Sequence, residues 1–157
     1  MTQENKKLLF KDLCARLPYG VKVYVKNWSK LDRKYYEGVY TLESAHPSLN
    51  NMHASSERFW VEVLVGYDDY EIKPYLFPLS SMTEEQKYEF YLRFIVKDCD
   101  CVFDYFKFCL DNGNWHKLLT SLDYIEAIID WFHKNHIDYR GLIPKDLAID
   151  ATGKNIY

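Results

Sequence analysis

Apolar positions along the chain follow two periods, one before residue 80 and another after it. Val21, Val23 and Val25 alternate with Lys22, Tyr24 and Lys26. Alternation with β-branched residues on one side predicts a half-buried strand. Gly38–Ala45, rich in Val, Tyr, Thr and Leu, predicts a second strand, and Phe59–Val65, with Val61, Val63 and Val65 on one side, a third. Ile72–Leu79 is a fourth extended segment, which Pro74 and Pro78 confine to an edge or to a path outside the ladder. Between the second and third strands, residues 46–57 lack any period and predict a long loop, a kind of segment that is commonly functional or mobile.

Helical spacing frames these strands. Leu9, Leu13 and Leu17 fall at four-residue steps beside Phe10 and Cys14, so residues 3–17 predict an amphipathic helix ended by Pro18-Tyr19-Gly20. After residue 80, Thr83 and Gln86 form a capping box, with Glu84 and Glu85 at the positive end of the dipole. A helix is expected from there to about Lys97, carrying Tyr88, Tyr91, Phe94 and Ile95. A second is expected from about Asp100 to Leu110, stopped by Asp111-Asn112-Gly113-Asn114. A third starts near Ser121, with Leu122, Ile125, Ile129 and Phe132 on one face. Strands followed by helices define an α+β fold: an N-terminal helix, a curved antiparallel sheet of three or four strands, and a C-terminal helical layer. Without repeat or linker, residues 1–157 read as a single domain: helix at 1–20, sheet region at 21–79, helical region at 80–137, extension at 138–157 that frays from about Thr152.

Composition adds two features to this outline. The chain carries 14 Tyr, 9 Phe and 4 Trp, enough for a tightly packed aromatic core or an adhesive face. Its net charge of −3 is unevenly spread: residues 1–36 are basic and the remainder acidic. Such asymmetry marks a charged partner or two regions that neutralise each other. No apolar run approaches the ~20 residues needed to cross a bilayer. The first residues have no apolar signal core, so a cytoplasmic location with reduced Cys14, Cys99, Cys101 and Cys109 is expected, and no membrane partner.

The candidate chemistry is sparse. Asp130, His133 and His136, at three-residue steps on a helix, can supply metal ligands, or the two histidines can simply complement a helix dipole. Cys99 and Cys101 are spaced too closely for a structural zinc pair, and their acidic neighbours disfavour a thiolate. Lys22, Tyr24, Lys26, Trp28, Lys30, Arg33 and Lys34, then Tyr35 and Tyr36, interleave basic and aromatic side chains that can follow a phosphate backbone and stack bases, or form a solvated sheet face. Glu84, Glu85, Glu89, Asp98, Asp100, Asp104 and Asp111, interspersed with Tyr105, Phe106 and Phe108, can meet a basic partner, imitate nucleic acid, or form a solvated helical face. Arg140 can hold a carboxylate or phosphate, or tie the helix end to the sheet. No phosphate-binding loop, dinucleotide fingerprint or nucleophile elbow is present in the sequence, and no cofactor is expected.

Three stretches carry a resemblance: Lys11-Asp12-Leu13-Cys14-Ala15-Arg16-Leu17-Pro18-Tyr19-Gly20-Val21, Ile72-Lys73-Pro74-Tyr75-Leu76-Phe77-Pro78-Leu79-Ser80-Ser81-Met82-Thr83-Glu84-Glu85, and Asp130-Trp131-Phe132-His133-Lys134-Asn135-His136-Ile137-Asp138-Tyr139-Arg140-Gly141-Leu142-Ile143. Together they resemble uncharacterised small proteins of Bacteroidetes phages, prophages and mobile elements. The resemblance implies a bacterial or phage cytoplasm and an accessory role, and it brings no activity and no site residue. The expectation is a non-enzymatic protein that binds a macromolecular partner, a protein in preference to a nucleic acid. A metal-dependent enzyme is the rival class.

Overall fold

The computed structural model describes residues 1–29, 33–46, 51–56, 60–64, 70–96, 103–114 and 125–157. The fold is α+β. It divides into two compact units, residues 1–76 with 142–157, and residues 77–141.

In the first unit, Thr2 caps helix α1 (Gln3–Arg16), its hydroxyl accepting from the Asn5 amide. A short 3-10 turn over Leu17–Tyr19 follows, and Gly20 closes it at φ 62°, a left-handed conformation that glycine adopts without penalty. Then come β1 (Lys22–Ser29), β2 (Lys34–His46), β3 (Asn51–Ser55), β4 (Trp60–Leu64) and β5 (Tyr70–Pro78). They form an antiparallel ladder in the order β4-β3-β2-β1-β5. Tyr75 and Leu76 of β5 pair in parallel with β7 (Ile149–Asp150).

The alternation in β1 places its valines inside. Val21, Val23 and Val25 are buried with Leu9 and Leu13 of α1, Leu42, Met52, Ala54, Ile72 and Leu76. Fully burying one such side chain is worth roughly 1.5–3 kcal/mol. One polar pair lies within α1: Arg16 Nε donates to Asp12 Oδ2 at 2.7 Å, with both side chains fully buried.

Four expectations need correction here. The sheet has more strands than three or four, and it is mixed rather than purely antiparallel. The segment 46–57 is not all loop, because Asn51–Ser55 is a strand. Met52 and Ala54 are buried, so a two-residue period runs there among polar neighbours. Pro74 and Pro78 do not make β5 a plain edge strand. Pro74 stands opposite Val23 of β1, and the β7 ladder begins only at Tyr75, beyond the proline that cannot donate to it. Finally, the last residues are tied down: the Tyr157 hydroxyl donates to the Tyr75 carbonyl at 2.6 Å and accepts from the Lys22 amide at 3.3 Å.

In the second unit, helix α2 (Glu84–Phe90) starts with the predicted capping box, both Thr83 and Gln86 bonds being made. It continues as a π-helical turn over Tyr91–Ile95. Helix α3 (Phe103–Asp111), helix α4 (Ile125–Lys134) and the short strand β6 (Ile137–Asp138) complete the unit. Phe77 and Pro78, at the end of β5, pair in parallel with β6, and the Phe77 amide donates to the His136 carbonyl at 2.9 Å. The expected starts of the second and third helices, near Asp100 and Ser121, lie outside the described residues.

Rings fill this core. Phe90 lies 5.0–5.7 Å, centroid to centroid, from Phe94, Phe106, Trp131 and Phe132. The buried face of α4 is Ile128, Trp131 and Phe132 with His133, rotated from the expected Ile125–Ile129–Phe132 line because Trp131 takes the interior position. Cys109 is buried in the same cluster, as a small hydrophobe. Cys99 and Cys101 lie outside the described residues.

Candidate functional site

Three surfaces bring chemistry-bearing residues together. The first is the outer face of β1 and β2. With the valines inside, Lys22, Tyr24, Lys26 and Trp28 point the other way. Register then decides their neighbours. Lys22 stands opposite Thr41, Tyr24 opposite Val39, Lys26 opposite Glu37 and Trp28 opposite Tyr35. On the β5 side, Tyr24 faces Lys73 and Lys26 faces Glu71. The Lys26 ammonium sits 4.8 Å over the Tyr35 ring, and Trp28 and Tyr35 rings lie 4.8 Å apart.

Tyr36 does not join this group. It stands opposite Asn27, in register with the valine side, and Tyr35 occupies the position expected of it. Arg33 is exposed at φ 52° in the turn before β2. Lys30 and the side chain of Lys34 lie outside what is described.

The face is also less basic than its sequence. The Tyr24 hydroxyl donates to Glu37 at 2.9 Å. Burial, this bond, and the charges of Glu37 and Glu71 push the Tyr24 phenol up to about 12. Lys73 bridges Glu71 at 3.0 Å and Asp146 at 2.8 Å. Burial pulls the Lys73 pKa down, but the bonds to Asp146 and Glu71 outweigh it and the pKa is raised.

The second surface is a cleft of about 570 Å³ in the same unit. Lys22, Thr41, Ser55 and Asn155 give it polar walls; Val39 and Ile156 give it apolar ones. Lys22 Nζ donates to Thr41 Oγ1 at 2.7 Å. Ser55 donates to the exposed Glu43 carboxylate. The cleft is not legible in the sequence, where the segment holding Asn155 and Ile156 is expected to fray.

The third surface is the outer side of α2, the π turn and α3. Tyr88, Leu92 and Val96 are exposed at four-residue steps. On α3, Tyr105 is 54% and Phe108 63% exposed, whereas Phe106 is fully buried. Glu85 and Glu89 of α2 and Asp104 and Asp111 of α3 are exposed as well. Ion pairs brace the two helices: Lys107 to Glu84 at 2.6 Å, and buried Lys87 to Asp111 at 3.0 Å. The Lys107 bond holds the Glu84 carboxyl below its ordinary value. Asp98 and Asp100 lie outside the described residues.

The remaining candidates are separated. Helix α4 ends at Lys134, and His136, at φ 54°, lies beyond it, so the spacing of Asp130, His133 and His136 is not that of one continuous helix. His133 is buried, and its Nε2 shares a hydrogen bond with the Tyr139 hydroxyl at 3.0 Å, while Asp130 is exposed. Among the described residues, no group of three His, Cys, Asp or Glu is placed to hold a metal ion. Arg140 lies in the second unit, its guanidinium 5.0 Å over the Tyr139 ring. No helix among the described residues is long and apolar enough to cross a membrane.

Comparison with known proteins finds no matching family model, no matching curated protein and no matching solved structure.

Proposed function

We propose that the protein is a non-enzymatic accessory protein of a phage or mobile element, and that it binds a protein partner through the outer side of α2, the π turn and α3. The observation that carries this reading is the exposure of Tyr88, Leu92, Val96, Tyr105 and Phe108 in a helical unit whose interior is already filled by rings. Scattered exposed hydrophobes are ordinary, but aromatic residues are enriched at binding surfaces. The neighbouring carboxylates give the partner its chemistry. A basic amphipathic segment, with apolar anchors for Phe108 and Leu92 and cations for Glu85, Glu89 and Asp104, complements this face.

A nucleic-acid partner on the face of β1 and β2 is the competing reading. The Lys26–Tyr35–Trp28 group favours it as a stacking platform. Glu37 and Glu71, in register on either side of Lys26, oppose it, because they repel the backbone that the lysine would attract.

Affinity capture from a Bacteroidetes host, with and without nuclease, tests the choice. The expected result is a nuclease-resistant protein partner retained by the wild type and lost with Phe108→Ser and Leu92→Ser, roughly tenfold or more per anchor. Capture that disappears on nuclease treatment, or that both substitutions leave unchanged, would overturn the reading.

A further inference from the structure

We propose that the cleft around Lys22 is a binding site for a carboxylate carried on an apolar body. This is independent of the helical surface, since every lining residue lies in the first unit. The size fits: about 570 Å³ falls within the roughly 300–1,000 Å³ of small-molecule sites.

The charge arrangement sets the ligand class. Lys22 is half-buried, its ammonium is anchored on Thr41 Oγ1, and among the described residues it makes no ion pair. An ammonium carries three donors, so bonds beyond the one to Thr41 remain for a ligand. The Thr41 hydroxyl and the Asn155 amide line the cleft with it, whereas the Ser55 proton is already given to Glu43. One cation among neutral donors suits a monoanion. A phosphate dianion would keep uncompensated charge beside a single cation. Val39 and Ile156 offer the apolar contact that distinguishes such a ligand from a bare inorganic anion.

The wall bearing Asn155 and Ile156 is fixed in place. The Tyr157 hydroxyl takes the Lys22 amide proton and gives its own to the Tyr75 carbonyl. The residue that carries the ligand-facing ammonium therefore also anchors, through its backbone, the segment that closes the cleft.

Amide NMR titrations on the full chain test the proposal. The probes are N-acetyl-phenylalanine, its C-terminal amide, phenyl phosphate, and a pentapeptide ending in phenylalanine. The acid is expected to shift the amides of residues 22, 39–41, 55–56 and 155–156, with the neutral amide and the phosphate roughly tenfold weaker or more. Lys22→Met keeps the aliphatic stem and should lose the preference for acid over amide; Thr41→Val, which releases the ammonium without removing its charge, should weaken binding of the acid. Tighter binding of the pentapeptide than of the free acid would support a polypeptide C-terminus as the source, and equal binding a free carboxylic acid. Equal affinity for acid and amide, unchanged affinity in Lys22→Met, or no shift in these amides with any probe would overturn the proposal.

Discussion

The two units solve the same problem with different side chains. The sheet unit buries Val, Leu, Ile, Met and Ala with α1 and keeps Tyr40 and Tyr70 partly buried beside that cluster. The helical unit buries Phe90, Phe94, Phe106, Trp131 and Phe132 as one ring cluster, yet leaves Tyr105 and Phe108 in solvent on the same helix as Phe106. The sheet unit therefore packs mainly aliphatic side chains, the helical unit mainly rings. A ring left outside a core already made of rings is not needed for packing, and that is what makes the outer side of α3 the stronger candidate for a partner.

Substitutions can break or sharpen this contrast. The largest effect is expected for Phe90→Ala, which removes the central ring and should cost roughly 3–5 kcal/mol in chemical denaturation. Asp12→Ala tests the one described polar pair buried in the aliphatic unit. Taking the carboxylate from a buried guanidinium should cost about 3–5 kcal/mol, and a negligible loss would mean that the pair is replaceable by apolar packing. Thr83→Ala removes the capping box of α2 and should cost about 1 kcal/mol.

The smallest effect is a pH dependence in the sheet unit. The pKa of Tyr24 lies above the ordinary tyrosine value of 10.0, at about 12. A raised folded-state pKa favours the protonated form, so its contribution is whole below about pH 10 and is lost as pH rises through about 12. Tyr24→Phe should flatten the alkaline limb of a stability profile, and an identical limb in both proteins would remove Tyr24 as its cause.

The contrast also explains what could be read from the sequence. The α+β class, the valine face of β1 and the capping box at Thr83 were legible because each rests on a local rule: alternation, or a cap three residues from its partner. Strand β3 was hidden because its inward residues, Met52 and Ala54, are weak strand formers set between His and Ser. The buried Asp12–Arg16 pair was hidden because charged residues one helical turn apart look like a surface pair. The exchange of Tyr35 for Tyr36 required the register of β2, which only pairing supplies. On α3, Tyr105, Phe106 and Phe108 are equally apolar in sequence, so only packing tells the inner ring from the outer ones.

The most direct measurement compares the two units as binding surfaces in one experiment. The amount of nuclease-resistant protein captured from host lysate is quantified for the wild type, for Phe108→Ser and for Lys26→Glu, with circular dichroism confirming that each is folded. The account predicts roughly tenfold or greater loss with Phe108→Ser and capture equal to wild type with Lys26→Glu. Full capture by Phe108→Ser, together with loss in the lysine variant, would contradict it and move the binding surface to the sheet.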